Sequence, residues 1–194
     1  MNGERRMRKI HTALDGVFII ELDKCSDKRG YFIETYNKKK FELLDLQGEF
    51  VQDNQSLSVH TGTIRGLHYQ LNPKAQMKVV SCIAGSIYDV VVDIRKGSPT
   101  YGQWFGTILS EYNNRLLTVP KGFAHGFCTT EPNTIVQYKV DEYYSPNHEV
   151  GILWNDETIG IFWPTNQPIL SEKDRKLPRL KDTNINFVYG DDFN

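Results

Sequence analysis

Between residues 55 and 140 the chain leaves no room for a helix. Runs of five to seven residues rich in Val, Ile, Tyr, Phe and Thr alternate with turn signals. The runs are 56–60, 63–69, 78–84, 87–93, 104–109, 115–119, 123–129 and 134–140. Many short strands at regular spacing, with no helix between them, predict an antiparallel sandwich or barrel. Gly85-Ser86 is expected to form a tight hairpin turn; 96–99 and 112–114 mark further turns. Upstream, 17–22 reads as an apolar strand, Asp27-Lys28-Arg29-Gly30 as a turn, and 31–36 as a second strand. Residues 37–46 form the one clear helix candidate, with Phe41, Leu44 and Leu43 on one side and Lys38 to Lys40 towards solvent. Residues 50–54 return to extended structure. After Thr158 the chain is rich in Pro and polar residues. There Ser171 is placed to cap a short helix, with Asp174 three residues on.

The length, 194 residues, fits one domain with a sizeable core. No repeat, low-complexity run or linker divides it, so a single domain is expected over 1–194, with a core of about 15–165 and a tail of 166–194. A formal net charge of -1 gives no global pull towards nucleic acid or an anionic membrane. No apolar run approaches a membrane span. The basic start, residues 1–8, is followed by no apolar signal core, so the cytoplasm is the expected location. Cys25, Cys82 and Cys128 are widely spaced and form no C-x-x-C; they read as reduced and structural. Ten Tyr, ten Phe and three Trp suit a sheet-lined pocket.

The chemistry concentrates in Thr63-Ile64-Arg65-Gly66-Leu67-His68-Tyr69-Gln70. Arg65 is permanently charged and fork-shaped, suited to a diphosphate or carboxylate. His68 titrates near neutrality, suited to moving a proton. On a regular strand, residues three apart face opposite sides. If both serve one pocket, Gly66 must permit a bulge or bend. A histidine base needs a carboxylate to fix its tautomer. Spacing leaves five candidates: Asp89, Asp93, Asp141, Asp156 and Asp174. Lys78, just before Val79-Val80, reads either as a strand-edge charge or as the holder of a developing oxyanion. Tyr138 is either sheet packing or a proton donor. Tyr143-Tyr144 either stack on a planar ligand or simply pack. Asp89 and Asp93 share a face of an apolar strand, where unpartnered carboxylates are costly; a polar pocket is the reading for Asp89.

Pro120-Lys121-Gly122-Phe123-Ala124-His125-Gly126-Phe127 resembles the second motif of the cupin jelly rolls. Metal-binding cupins pair it with H-x-H and a glutamate, where this chain has only His68-Tyr69-Gln70. A first-row metal wants three or four ligands, so no metal is expected. His125 then reads as a donor to a bound anion or as a core histidine.

Taken together, these segments resemble the nucleotide-sugar 3,5-epimerase family typified by dTDP-4-dehydrorhamnose 3,5-epimerase. The resemblance runs from about Asp15 to Asp174. It rests on 27–34, Phe50-Val51-Gln52-Asp53-Asn54, 65–70, 89–100, 120–127 and Trp154-Asn155-Asp156. It implies an all-β, cupin-type jelly-roll barrel with one or a few short peripheral helices, and a metal-independent isomerase without a cofactor. The implied substrate is a 4-keto-6-deoxy sugar on a nucleoside diphosphate, most directly dTDP-4-dehydro-6-deoxy-D-glucose. Its C4 ketone acidifies the hydrogens on C3 and C5. His68 matches the base, Asp174 the carboxylate that orients it, Tyr138 the acid on the opposite face, and Lys78 the residue beside the C4 oxygen. Arg29, Glu34, Gln52, Asp53, Asn54, Arg65, His125, Glu149 and Lys173 match ligand-contacting positions. A homodimer with exchanged strands is also implied. Met77 stands where the family commonly has glycine, and is expected to bulk up the approach to Lys78. A C3-only epimerase on a dTDP-, CDP- or GDP-linked sugar, a 3,4-ketoisomerase on the same fold, and a non-enzymatic sugar-binding cupin are the rival readings.

Overall fold

The computed structural model describes residues 7–46 and 48–191; the first six residues of the basic start lie outside them. In chain order the strands are β1 (Met7–His11), β2 (Phe18–Leu22), β3 (Lys24–Asp27), β4 (Gly30–Ile33), β5 (Gln52–Ser58), β6 (Ile64–Gln70) and β7 (Lys78–Ala84). They continue as β8 (Ser86–Asp93), β9 (Trp104–Ser110), β10 (Arg115–Val119), β11 (Phe123–Thr129), β12 (Thr134–Val140) and β13 (Glu149–Gly151). One helix, α1 (Lys38–Leu43), follows β4, and two short 3-10 turns, Asp174–Lys176 and Leu180–Asp182, lie in the tail. Among the described residues no helix is long and apolar enough to cross a membrane.

The strands form the all-β jelly roll expected from the sequence. A six-stranded sheet runs β1-β2-β10-β7-β12-β5 and a five-stranded sheet runs β13-β6-β11-β8-β9. β3 and β4 make a separate hairpin. Apolar side chains from both sheets meet between them: Ile19, Val80, Leu117 and Val136 from one, Ile87, Val91, Leu109 and Phe127 from the other. The outer faces are covered as well. α1 lays Phe41 against Ile20, Val79 and Leu116 behind the larger sheet. The tail lays Leu180, Ile185 and Phe187 against Leu67, Val90 and Val92 behind the smaller one. This explains why β8 is almost continuously buried instead of alternating: both its faces are covered. Each fully buried side chain of this kind stabilises by about 1.5–3 kcal/mol relative to exposure.

Several elements differ from the sequence expectation. Gly85-Ser86 is not a hairpin turn. β7 pairs with β10 and β12, whereas β8 pairs with β11 and β9, so the dipeptide carries the chain from one sheet to the other. The second strand stops at Ile33 rather than Tyr36, and the 50–54 and 56–60 segments merge into β5. β1 and β13 were not anticipated: β1 carries three polar or charged residues in five, and β13 is three residues long. The helix is shorter than expected; Asn37 caps it through its side chain, and Leu43 points to solvent at 84% exposure. The cysteines are all free, with Cys82 and Cys128 buried and Cys25 exposed on β3.

Gly85 is held at φ +74° with the Thr134 hydroxyl 2.4 Å from where a Cβ would sit. A side chain would be strained both by the backbone angle and by that contact. Gly85→Ala is therefore expected to lower stability by at least the roughly 1–3 kcal/mol that a left-handed non-glycine residue costs. Chemical denaturation, read as a lower midpoint at unchanged slope, checks this.

Candidate active site

The inner faces of the two sheets diverge into a cavity of about 430 Å³, with a smaller recess of about 100 Å³ beside it. His68, Lys78 and Tyr138 line both. One wall comes from β6 and β11. His68 lies directly opposite His125, and Arg65 opposite Phe127. Three residues of β6 are thus spanned by two of β11, so β6 carries a bulge at Gly66-Leu67. The bulge removes the parity conflict: Leu67 and Tyr69 pack behind the sheet, while Arg65 and His68 both face the cavity. Glycine is required there. Gly66 has φ +128°, and an added Cβ would stand 2.6 Å from the Gly126 Cα and 2.8 Å from the His125 carbonyl oxygen.

The other wall is the inner face of β7, β12 and β5. Alternation selects its residues. Lys78, Tyr138, Asn54 and Ser56 all line the cavity or its recess, as does Gln52. Asp53, one position off, turns outward to Lys139 at 2.9 Å. Ser56 escaped the sequence reading, yet the same period of two that selects Gln52 and Asn54 points to it. Met77 also obeys parity. It shares the outer side with Val79 and packs towards Gly48, whose ideal Cβ would lie 2.6 Å from its Cε. It lines neither cavity nor recess, contrary to the expectation that it would crowd Lys78.

The tail closes the site. Ile64 and Ile169 exchange contacts through Ile64 N–H donating to the Ile169 carbonyl at 2.9 Å, and Ile169 N–H donates to Gly62 at 2.9 Å. This brings Leu170, Ser171, Lys173 and Asp174 to the cavity. Ser171 Oγ accepts from the Asp174 backbone N–H at 3.0 Å. Asp174 Oδ1 then sits 2.7 Å from His68 Nε2. Burial raises the Asp174 pKa, but the hydrogen bond and charge of His68, the Ser171 hydroxyl and the Gly66 amide outweigh it and hold the carboxyl below its usual range.

The other four carboxylates weighed for His68 are engaged elsewhere. Asp89, fully buried, meets His125 Nε2 at 2.7 Å. Asp93 binds Arg95, Ser98 and Thr100. Asp141 accepts from the Met77 N–H and pairs with Lys121. Asp156 caps the turn at Leu180 and accepts from Thr158.

Lys78 is half-buried, and desolvation pushes its ammonium down to about 8 against the opposing pull of Glu149 and Asp89. Burial raises the Tyr138 phenol, with Glu149 adding to it, so the phenol keeps its proton at neutral pH. Glu149 accepts from Tyr144 Oη at 2.9 Å and pairs with Lys173. Tyr144 lines the recess; Tyr143 does not. Arg65 donates to Ser58 Oγ and the Leu57 carbonyl, both at 3.2 Å. Arg29 and Glu34 are not at the cavity of their own chain. Arg29 stands on the exposed β3–β4 hairpin paired with Asp27, and Glu34 pairs with Lys40 at 3.1 Å. Among the described residues no three His, Cys, Asp or Glu side chains converge as a metal site.

The arrangement can take a proton at His68, give one at Tyr138, and hold negative charge at Lys78. Known proteins resemble this chain in sequence and fold. The sequence profile of the family described as dTDP-4-dehydrorhamnose 3,5-epimerase matches residues 11–182. A dTDP-4-dehydrorhamnose 3,5-epimerase of Shigella flexneri is 49% identical over 169 residues, covering 87% of this chain and 93% of that protein. The crystal structure of a Bacillus anthracis dTDP-4-dehydrorhamnose 3,5-epimerase with TDP and pyrophosphate bound superposes with a TM-score of 0.88 at 56% identity, covering 90% of this chain and 99% of that one. A Legionella pneumophila dTDP-6-deoxy-D-glucose-3,5-epimerase in complex with dTDP-4-keto-L-rhamnose gives a TM-score of 0.88 at 44% identity, covering 92% and 95%. With a profile match over most of its length and relatives near half identity, this chain belongs to the dTDP-4-dehydrorhamnose 3,5-epimerase family.

Proposed function

We propose that the chain converts dTDP-4-dehydro-6-deoxy-D-glucose to dTDP-4-dehydro-L-rhamnose by inverting C3 and C5 through an enolate, with His68 as base and Tyr138 as acid. One observation carries the reading. His68, paired with Asp174 at 2.7 Å, belongs to β6 of the smaller sheet, and Tyr138 and Lys78 belong to the larger one, with the cavity between. A planar enolate held there has a base on one face and a phenol on the other.

The C4 ketone makes the adjacent hydrogens acidic. Neutral His68 takes the C3 or C5 proton, and Asp174, anionic at neutral pH, supports the resulting imidazolium. The C–H electron pair moves into the enolate, whose charge on O4 faces the Lys78 ammonium. Tyr138 returns a proton to carbon from the opposite face and is then reprotonated, while His68 loses its proton to solvent. No cofactor enters this scheme. Arg65, His125 and Lys173 are assigned to the diphosphate, and Gln52, Asn54, Tyr144 and Glu149 to the recess. The cytoplasm is the location that this chemistry and the sequence support.

A homodimer with exchanged strands belongs to the same proposal. Arg29 and Glu34, matched to ligand positions, are held away from their own cavity. The β3–β4 hairpin displays Tyr31 and Phe32 at 58% and 57% exposure. Seated in the partner's cavity, the hairpin would bury those rings and deliver Arg29 to the ligand.

His68→Ala is expected to abolish deuterium uptake at C3 and C5 when the protein meets dTDP-4-keto-6-deoxyglucose in heavy water, read by NMR; undiminished uptake would overturn the base assignment. Tyr138→Phe should still exchange deuterium but invert slowly, by about 10²–10⁴-fold.

Because Lys78 must be charged to hold the enolate, kcat/KM should fall as pH rises through about 8. Below that pH the ammonium is present and the rate is level with respect to this group. Lys78→Met should remove the limb along with most of the activity, and a limb that persists in this variant belongs to another group.

Arg29→Ala and His68→Ala chains, each inactive alone, should regain activity when co-expressed, since the mixed dimer contains one complete site. No recovery would place Arg29 in its own chain's chemistry or outside the site.

A further inference from the structure

Tyr69 follows His68 on β6 but points the other way, into the apolar layer behind the sheet. Its hydroxyl is not left among apolar neighbours. It donates to the Asn184 carbonyl at 2.6 Å and lies 3.2 Å from Thr183 Oγ1. Thr183 in turn donates to the Gly151 carbonyl at 3.1 Å. Gly151, on β13, is the residue directly opposite His68 in the register. Further along, Phe187 is buried with its ring 6.2 Å from that of Tyr69, edge to face. The Lys96 N–H donates to the Phe187 carbonyl at 3.0 Å, and the Tyr189 N–H donates to the Lys96 carbonyl at 2.9 Å. Asn186 exchanges two side-chain hydrogen bonds with the backbone of Asn72.

The same tail therefore meets β6 twice. At Asp174 it touches His68 on the cavity face; at Asn184 it touches Tyr69 on the reverse face. Between these points it passes round the edge strand β13, where Leu177 packs so closely on Gly151 that a Cβ there would lie 2.8 Å away. Leu153 N–H donates to the Pro178 carbonyl at 2.8 Å along that path. The second grip lies beyond residue 182, where the family profile ends.

We propose that residues 174–189 form a clamp that fixes the base strand from both faces, with Tyr69 a positioning residue that acts on the reaction through His68. The ladders to β11 and β13 hold β6 by its edges. Anchors at two successive residues, on opposite faces, add a hold on each face, and loosening the rear one lets the strand shift the imidazole relative to the carboxylate. Burial raises the Tyr69 phenol to about 12, so the donor is present throughout the working pH range. The kinetic consequence rests on His68 being the base; the geometric one does not.

Tyr69→Phe keeps the ring against Phe187 and removes only the hydroxyl. Thr183→Val keeps shape and removes the bond to Gly151. In the whole chain each is expected to lower kcat about 10-fold, the rate change that losing the support of one hydrogen bond produces, with KM unchanged. Each should also weaken the far-downfield proton resonance of the His68–Asp174 hydrogen bond. A purely structural role would lower the melting temperature and leave both readouts per folded molecule intact, which would overturn the proposal. So would kcat and KM changing together with the resonance intact. If Tyr69→Phe fails to fold, Thr183→Val decides alone by the same readings. Should His68→Ala prove active while the resonance still weakens in these variants, the base assignment fails and the clamp stands.

Discussion

The hydrogen bond from His68 to Asp174 joins positions 106 residues apart in the chain. Each side of it depends on a separate piece of folding. On the strand side, the bulge at Gly66 must turn His68 and Arg65 to the same face, which requires glycine at both Gly66 and Gly126 for the close approach of β6 and β11. On the tail side, the contact between Ile64 and Ile169 must return the chain to the start of β6, and Ser171 must receive the Asp174 amide. The cavity exists because these two results coincide.

The electrostatics of the site follow from burial rather than net charge. The interior between the sheets is apolar, yet it holds Asp89, His125, Lys78 and Tyr138. Two histidines face each other across neighbouring strands, and each is committed to its own aspartate, His68 to Asp174 and His125 to Asp89. The carboxylates keep these rings oriented. Among the described residues Lys78 has no such close partner, and desolvation makes its proton easier to lose. The group that would hold the enolate is thus one whose charge is lost as pH rises through about 8.

Much of the fold was legible because strand-forming runs are local. β7, β10, β11 and β12 fall on the residues that composition and spacing predict. What a short segment cannot encode is its partner. Gly85-Ser86 has the residues of a hairpin turn, but β8 joins the other sheet, where Val90 and Val92 pack against the tail. The same non-locality governs the site. Nothing in the spacing of five aspartates tells which one reaches His68; the structure brings Asp174 to it and gives the other four different partners. Met77 shows the converse: reading it as a neighbour of Lys78 in sequence overlooked that adjacent strand residues point apart. Asp53 stands on the outward side by the same rule, since Gln52, Asn54, Ser56 and Ser58 share the inward face of β5.

The route by which Asp174 reaches the site orders events during synthesis. Every strand of both sheets lies at or before Gly151, so the ladders that carry His68 all precede Asp174 in the chain. The carboxylate and the reverse-face anchors arrive only with the following residues. A fragment ending before them has the strands but neither the cover over Leu67, Val90 and Val92 nor a carboxylate for His68. On the proposed assignment, proton abstraction at His68 therefore gains its support only when the chain beyond β13 has folded back onto β6.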